Sequence, residues 1–231
     1  MAVLSLLSLS IERALHARSA EHVRVIVRID GVDVSHADGD DGPDPWDALV
    51  PVNRFVATDD FTTATIACCP SCGPECCAIE ARVRREGDVV RWEIGDRRGV
   101  RWAGERRTIL FDAAAYDAEV ARIDADRSWQ TAMHRAGRLI LAGVDLPSGV
   151  EGVRVTMIGA GELEVWLEEP GEYQIWVYAP WEAQRPDDSA AMVRSLLAGP
   201  AADWPARWHS IKTDRQDPPS YAGPSWRRAE L

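Results

Sequence analysis

Apolar and polar residues alternate with a period of two in segment after segment of this chain, with short turns between them, and this pattern restricts the fold most. Leu7, Ser8, Leu9, Ser10 and Ile11 alternate in this way, as do Val23, Val25, Val27 and Ile29 with Arg24 and Arg28 between them. Successive residues of a strand face opposite sides, so one row lines a core and the other meets water. Asp30-Gly31 supplies a turn before Val32 to Val34. The Thr- and Ile-rich stretch Phe61 to Ile66, a return from Ala78 to Val83 and, after the Glu86-Gly87-Asp88 turn, Val89 to Ile94 predict a three-strand meander. A second meander is predicted at Val153 to Ile158, Leu163 to Leu167 and Tyr173 to Tyr178, with turns at Gly159-Ala160-Gly161 and Glu169-Pro170-Gly171-Glu172.

Between the meanders the period becomes helical. Asp112 is the predicted N-cap, Phe111 and Tyr116 hold the two positions of a hydrophobic staple, and Val120 and Ile123 continue the apolar face. This helix is expected to reach Met133, Leu139 and Ala142, with Ser128 the place where it would break. Asp145-Leu146-Pro147-Ser148-Gly149 reads as a linker. Asp188 to Leu197 predicts a further helix, Trp204 and Trp208 have the spacing of one helical face, and the Pro- and Gly-rich tail from Asp214 reads as irregular. The expectation is an α+β fold, mainly antiparallel β-meanders with a central long helix and a C-terminal helical segment. Two domains follow: residues 1–145, with the first strands, the cysteines and the helix, and residues 146–231, with the second meander and the tail.

All five cysteines, Cys68, Cys69, Cys72, Cys76 and Cys77, lie within ten residues at the reversal of the first meander. Secreted disulfide frameworks staple distant loops and use an even number, so reduced thiols or metal ligation are expected here. In a hairpin symmetric about Cys72 and Gly73, residue 68 faces 77 and residue 69 faces 76. Cys69, Cys72 and Cys76 then converge as three thiolate ligands suited to zinc, with His22, His36, His134 or His209 as the fourth. Cys77 points to the other face. The competing reading is small buried thiols filling a tight turn, with Gly73 in a backbone conformation other residues avoid.

Cys72-Gly73 with Cys77, then Val90-Arg91-Trp92, then Phe111-Asp112 with Tyr116 resemble a family of uncharacterised bacterial proteins, mainly actinobacterial. That family has a Cys-Gly-x-x-Gly-Cys hairpin, a Val-x-Trp strand and a Phe-Asp-x-x-x-Tyr helix start. Cys76 stands where the family usually has glycine, and Pro70 where it often has another cysteine. The resemblance covers about Val23 to Ile123; it implies the fold of that stretch and no function.

Charge narrows the function classes. A formal net charge of −11 opposes general binding to nucleic acids or anionic membranes and favours a basic partner. The apolar run Val3 to Ile11 has no preceding positive charge and is followed by Glu12, Arg13 and His16, so it reads as core rather than leader. No apolar run approaches the roughly 18 residues of a membrane span. A cytoplasmic protein is expected. Nine arginines between Arg82 and Arg107 against five acids read as the wet face of strands whose other face carries Val83, Val89 and Trp92. The acidic loop His36 to Gly42 lacks the ligand pattern of a calcium loop. Ten tryptophans fit either core packing or a protein interface.

No nucleophile stands beside a base, no glycine loop cradles phosphate, and His134 and His209 are isolated. The leading expectation is a non-enzymatic interaction protein, an immunity-type or inhibitory partner of a basic protein. The alternative is a small zinc-binding module with the metal at the Cys68 to Cys77 tip. An enzyme whose residues meet only in the fold ranks third.

Overall fold

The computed structural model describes residues 3–16, 19–35, 41–69, 73–96, 107–159 and 161–230, with the backbone alone at 14–16, 19–22, 73–77 and 96. The fold is α+β and mainly antiparallel, as the alternation predicts. The chain forms two compact units, Met1–Trp129 and Gln130–Leu231. Among the described residues no helix is long and apolar enough to cross a membrane.

The first unit contains two sheets. Strands β1 (Leu7–His16), β2 (Ser19–Ile29) and β3 (Val32–Asp33) form one, in the order β1-β2-β3. After the short helix α1 (Pro45–Ala48), strands β4 (Thr62–Cys69), β5 (Gly73–Glu86), β6 (Val89–Asp96) and β7 (Arg107–Asp112) form the other as a meander. Single bridges stitch the sheets together at both sides. Ser5 pairs with Phe111, its N–H donating to the Leu110 carbonyl at 2.8 Å. On the other side Asp41 and Cys68 exchange two backbone hydrogen bonds of 2.9 Å, and the Val25 N–H donates to the Pro43 carbonyl at 2.9 Å. The strands thereby close into a ring.

Helix α2 (Ala113–Ala125) follows β7 without a loop. The Asp112 carboxylate caps it by accepting the Ala115 N–H at 2.9 Å, and the Phe111 and Tyr116 rings meet at 5.6 Å as the staple requires. Trp92 lies among Phe55, Phe111 and Tyr116, with ring centroids 5.8, 5.2 and 6.1 Å away. Its Nε1 donates to the Tyr116 hydroxyl at 3.0 Å, which donates in turn to the Phe55 carbonyl at 2.7 Å. Burial pushes the Tyr116 phenol above its ordinary range, so it stays neutral and able to donate. The helix ends where Asp126 accepts both the N–H and the hydroxyl of Ser128, at 2.8 and 2.7 Å. That side-chain turn competes with the helical ladder and divides the expected long helix in two.

The second unit begins with α3 (Ala132–Leu141), capped by Thr131, whose hydroxyl accepts the His134 N–H at 3.2 Å. This helix, placed by the sequence ahead of the linker, belongs with the later strands because it packs against β8 (Glu151–Gly159) and α4 (Pro186–Leu197). Strands β8, β9 (Glu162–Glu169), β10 (Tyr173–Pro180), β11 (Ala206–Ser210) and β12 (Arg227–Arg228) make one sheet in the order β12-β11-β10-β9-β8. Trp208 therefore lies on a strand, not on a helix shared with Trp204. Pro205 cannot donate in a helical ladder, and the next five residues pair with β10 instead. The tail is anchored: the Tyr173 hydroxyl donates to the Asp217 carbonyl at 3.1 Å and the Tyr221 hydroxyl to Glu169 at 3.0 Å. Trp204 stacks on Trp226 at 6.2 Å.

Candidate functional site

The cysteine tip does not have the register of a symmetric hairpin. Cys68 pairs with Ala78 and Cys69 with Gly73, so neither expected pairing, 68 with 77 or 69 with 76, occurs. Pro74 has no N–H to continue the ladder, and residues 74–77 form an irregularity on β5. Cys68 is buried and Cys69 half-buried. Cys72 lies outside the described residues, as do the side chains of Cys76 and Cys77. Of the histidines proposed as a fourth ligand, His36 and the His22 side chain also lie outside them. His134 stands on α3, with Nδ1 2.9 Å from the Thr131 hydroxyl, and His209 on β11, both in the second unit. Among the described residues no three His, Cys, Asp or Glu side chains gather as a metal site.

Of the nine arginines, Arg82, Arg84 and Arg91 take the outer face of the second of the two sheets in the first unit, opposite Val83, Trp92 and Val90 rather than Val89; Arg107 lies at the mouth of the cavity described below, and Arg97, Arg98, Arg101 and Arg106 lie outside the described residues. Ala81 and Val83 are buried, whereas Arg82 and Arg91 pair with Glu93 at 3.2 and 3.0 Å. Arg82 and Arg84 also lie over the Phe61 ring, at 4.1 and 4.7 Å. These guanidinium groups are engaged by carboxylates and an aromatic ring on their own sheet.

Among the described residues seven tryptophans are core: Trp46, Trp92, Trp129, Trp181, Trp204, Trp208 and Trp226; Trp102 lies outside them. Trp166 and Trp176 are half-buried and paired with each other across the outer face of the second unit's sheet. Arg154 lies over Trp166 at 5.9 Å and Arg207 over Tyr178 at 5.5 Å. Beside them Glu164 is a weaker acid than usual, because burial disfavours its charge more than the Tyr178 hydrogen bond and Arg207 favour it.

A cavity of about 310 Å³ opens in the first unit, where the β2–β3 turn meets the inner face of the meander sheet. Its wall is aliphatic: Ile29, Ile66, Ile79, Ile94 and Ile109, all buried to within 7% exposure. Ile66 stands at an irregularity in the β4–β5 pairing, where neighbours Thr65 and Ala67 take consecutive partners Glu80 and Ile79. Such an extra residue bends the strand and re-aims a side chain. The exposed lining residues mark the mouth: Val32, at 65% exposure, with Asp30 and Arg107, and half-buried Asp33 and Val34 beside them. The Asp30 carboxylate accepts the Leu6 N–H at 2.8 Å. That bond, a further one from the Ser5 side chain and the nearby Arg107 charge hold its pKa below the ordinary carboxylate range. Leu6 itself is 62% exposed.

Only the fold assembles this site, from residues spread over Ile29 to Ile109. Its sequence signals, the Asp30-Gly31 turn and isoleucines on inward strand positions, read individually as ordinary hairpin and core. Comparison of the chain with family models, with curated proteins and with solved structures gives no match.

Proposed function

We propose that this chain is a non-enzymatic interaction protein of the cytoplasm, an immunity-type or inhibitory partner of a basic protein, and that it meets that partner at the cavity rim of the first unit. The observation that carries the reading is the exposure of two aliphatic side chains, Val32 at the mouth with the carboxylates of Asp30 and Asp33, and Leu6, whose N–H binds Asp30. Aliphatic side chains at such exposure, bordered by charge, have the composition of a contact surface with a polar margin. A net charge of −11 adds long-range attraction for a basic protein and speeds encounter. Cysteines confined to one short segment suit a reducing compartment.

The test is affinity capture from the source cell followed by reconstitution with the captured protein in pure form. Leu6→Glu and Val32→Glu should each weaken the reconstituted complex at least about tenfold, or about 1.4 kcal/mol. Raising sodium chloride from roughly 50 to 300 mM should slow association. A captured protein that is not basic, or a complex indifferent to both substitutions, would refute the proposal.

A further inference from the structure

We infer that the cavity of the first unit is a binding site for a small uncharged aliphatic molecule, its hydrocarbon body among the isoleucines and a neutral polar end, such as a hydroxyl, at the mouth. The inference rests on the cavity alone and stands or falls apart from the partner reading. A volume of about 310 Å³ is at the lower end of those that hold small ligands. At roughly 30 Å³ for each water-sized group, it takes on the order of ten non-hydrogen atoms.

The wall decides the body of that ligand. The five isoleucine side chains offer neither donor nor acceptor, and Ile29, Ile79, Ile94 and Ile109 stand at paired positions of their strands. A polar group placed among them would lose its hydrogen bonds to water without replacement. Water itself is a poor occupant, because it needs polar partners that these side chains do not supply. An apolar body gains instead, by roughly fourfold in affinity for each methylene removed from water. Strands β2, β4, β5, β6 and β7 each contribute one isoleucine, so the apolar wall is drawn from both sheets of the unit.

The mouth decides the charge. The Asp30 carboxylate accepts the Leu6 N–H at 2.8 Å and a bond from the Ser5 side chain, and the Arg107 charge acts on it. The Asp33 carboxylate accepts the Ser35 N–H at 2.8 Å and has a further partner. Both acids at the opening are therefore engaged within the chain. An ammonium head would meet the like charge of Arg107 there, and a carboxylate head those of Asp30 and Asp33. Either ion would give up water for a counter-charge that already has partners. A neutral end keeps its hydrogen bonds to water at the opening and meets neither conflict.

The experiment titrates the full chain with n-butanol, n-hexanol, n-octanol, n-octylamine and n-octanoate below their solubility and aggregation limits, by calorimetry and by amide chemical shifts. Affinity should rise roughly threefold to fourfold per methylene along the alcohols, with shifts centred on Ile29, Ile79 and Ile94. Octanol should bind at least about tenfold more tightly than either ion of the same chain length. Val34→Trp should abolish binding by filling the opening. If Val34→Trp does not fold, the alcohol series and the two ions decide the matter. Absence of saturable binding, affinity independent of chain length, shifts remote from the cavity, octanol binding retained by a folded Val34→Trp, or either ion binding as tightly as octanol would each overturn the inference.

Discussion

Replacement of Tyr116 by phenylalanine tests the account of the first unit's core most directly. The hydroxyl accepts from Trp92 Nε1 at 3.0 Å and donates to the Phe55 carbonyl at 2.7 Å. Trp92 and Phe55 are fully buried and Tyr116 is 2% exposed, so water has no route to replace either bond. Tyr116→Phe leaves a buried donor and a buried acceptor unsatisfied, each worth about 1–3 kcal/mol. Because the ring is retained, packing changes little, and the expected loss is roughly 3 kcal/mol. With a urea dependence of about 1–3 kcal/mol per molar, the midpoint should fall by at least roughly 1 M, with an unchanged slope. The two units need not unfold together, so the readout is hydrogen exchange of β6 and β7 peptides, which report on the first unit. A cycle with Trp92→Phe isolates the hydrogen bond from lost ring area, and its coupling energy should exceed about 1 kcal/mol. A loss below about 0.5 kcal/mol, or no coupling, would show that the buried chain does not hold the core as described.

Glu164→Gln should stabilise the second unit at pH 7 but not at pH 3.5, as thermal unfolding at the two pH values would show. Its carboxyl has a raised pKa in the folded state, so folding favours the protonated form. Stability is therefore lost as pH rises from the unfolded value through the folded one, and glutamine removes that loss. Gly42→Ala should destabilise the first unit by more than about 2 kcal/mol in urea, because its Cβ would lie 2.1 Å from the Val25 carbonyl oxygen. Gly159→Ala, with no atom within 4 Å of its Cβ, should stay within about 0.5 kcal/mol in the same assay. Arg135→Ala removes an ion pair to Asp187 whose side chains are 54% and 55% exposed, and should cost less than about 1 kcal/mol, an effect that salt erases.

Strand alternation was legible because its period is short and each hairpin is local: β1, β2, β6, β9 and β10 appear where apolar residues alternate. The cap and staple at Asp112, Phe111 and Tyr116 were equally local. Two strands were hidden for opposite reasons. β7 runs directly into α2, so the helix signal at Asp112 obscured it, and β11 carries Trp208 four residues after Trp204, a spacing that imitates a helix. The register of the cysteine hairpin depended on where Pro74 interrupts pairing, which spacing alone does not reveal. The cavity was illegible because its isoleucines are ordinary in each strand; only the closure of the ring brings Ile29, Ile66, Ile79, Ile94 and Ile109 around one space.

The pairing of Ser5 with Phe111 also sets an order of events. β1 and β2 can form a hairpin early, but the seam between residues 5 and 111 joins segments about a hundred residues apart. Closing a loop of that length in a flexible chain carries an entropy term of about 4 kcal/mol, reduced once the intervening hairpins have formed. At roughly 5–20 residues per second, a ribosome takes on the order of 5–20 s to add those residues. Throughout that interval the nascent chain holds the β1 side of the seam without its partner. A factor that shields a strand edge on the emerging chain would therefore find the Ser5 side of the seam open until residue 111 appears.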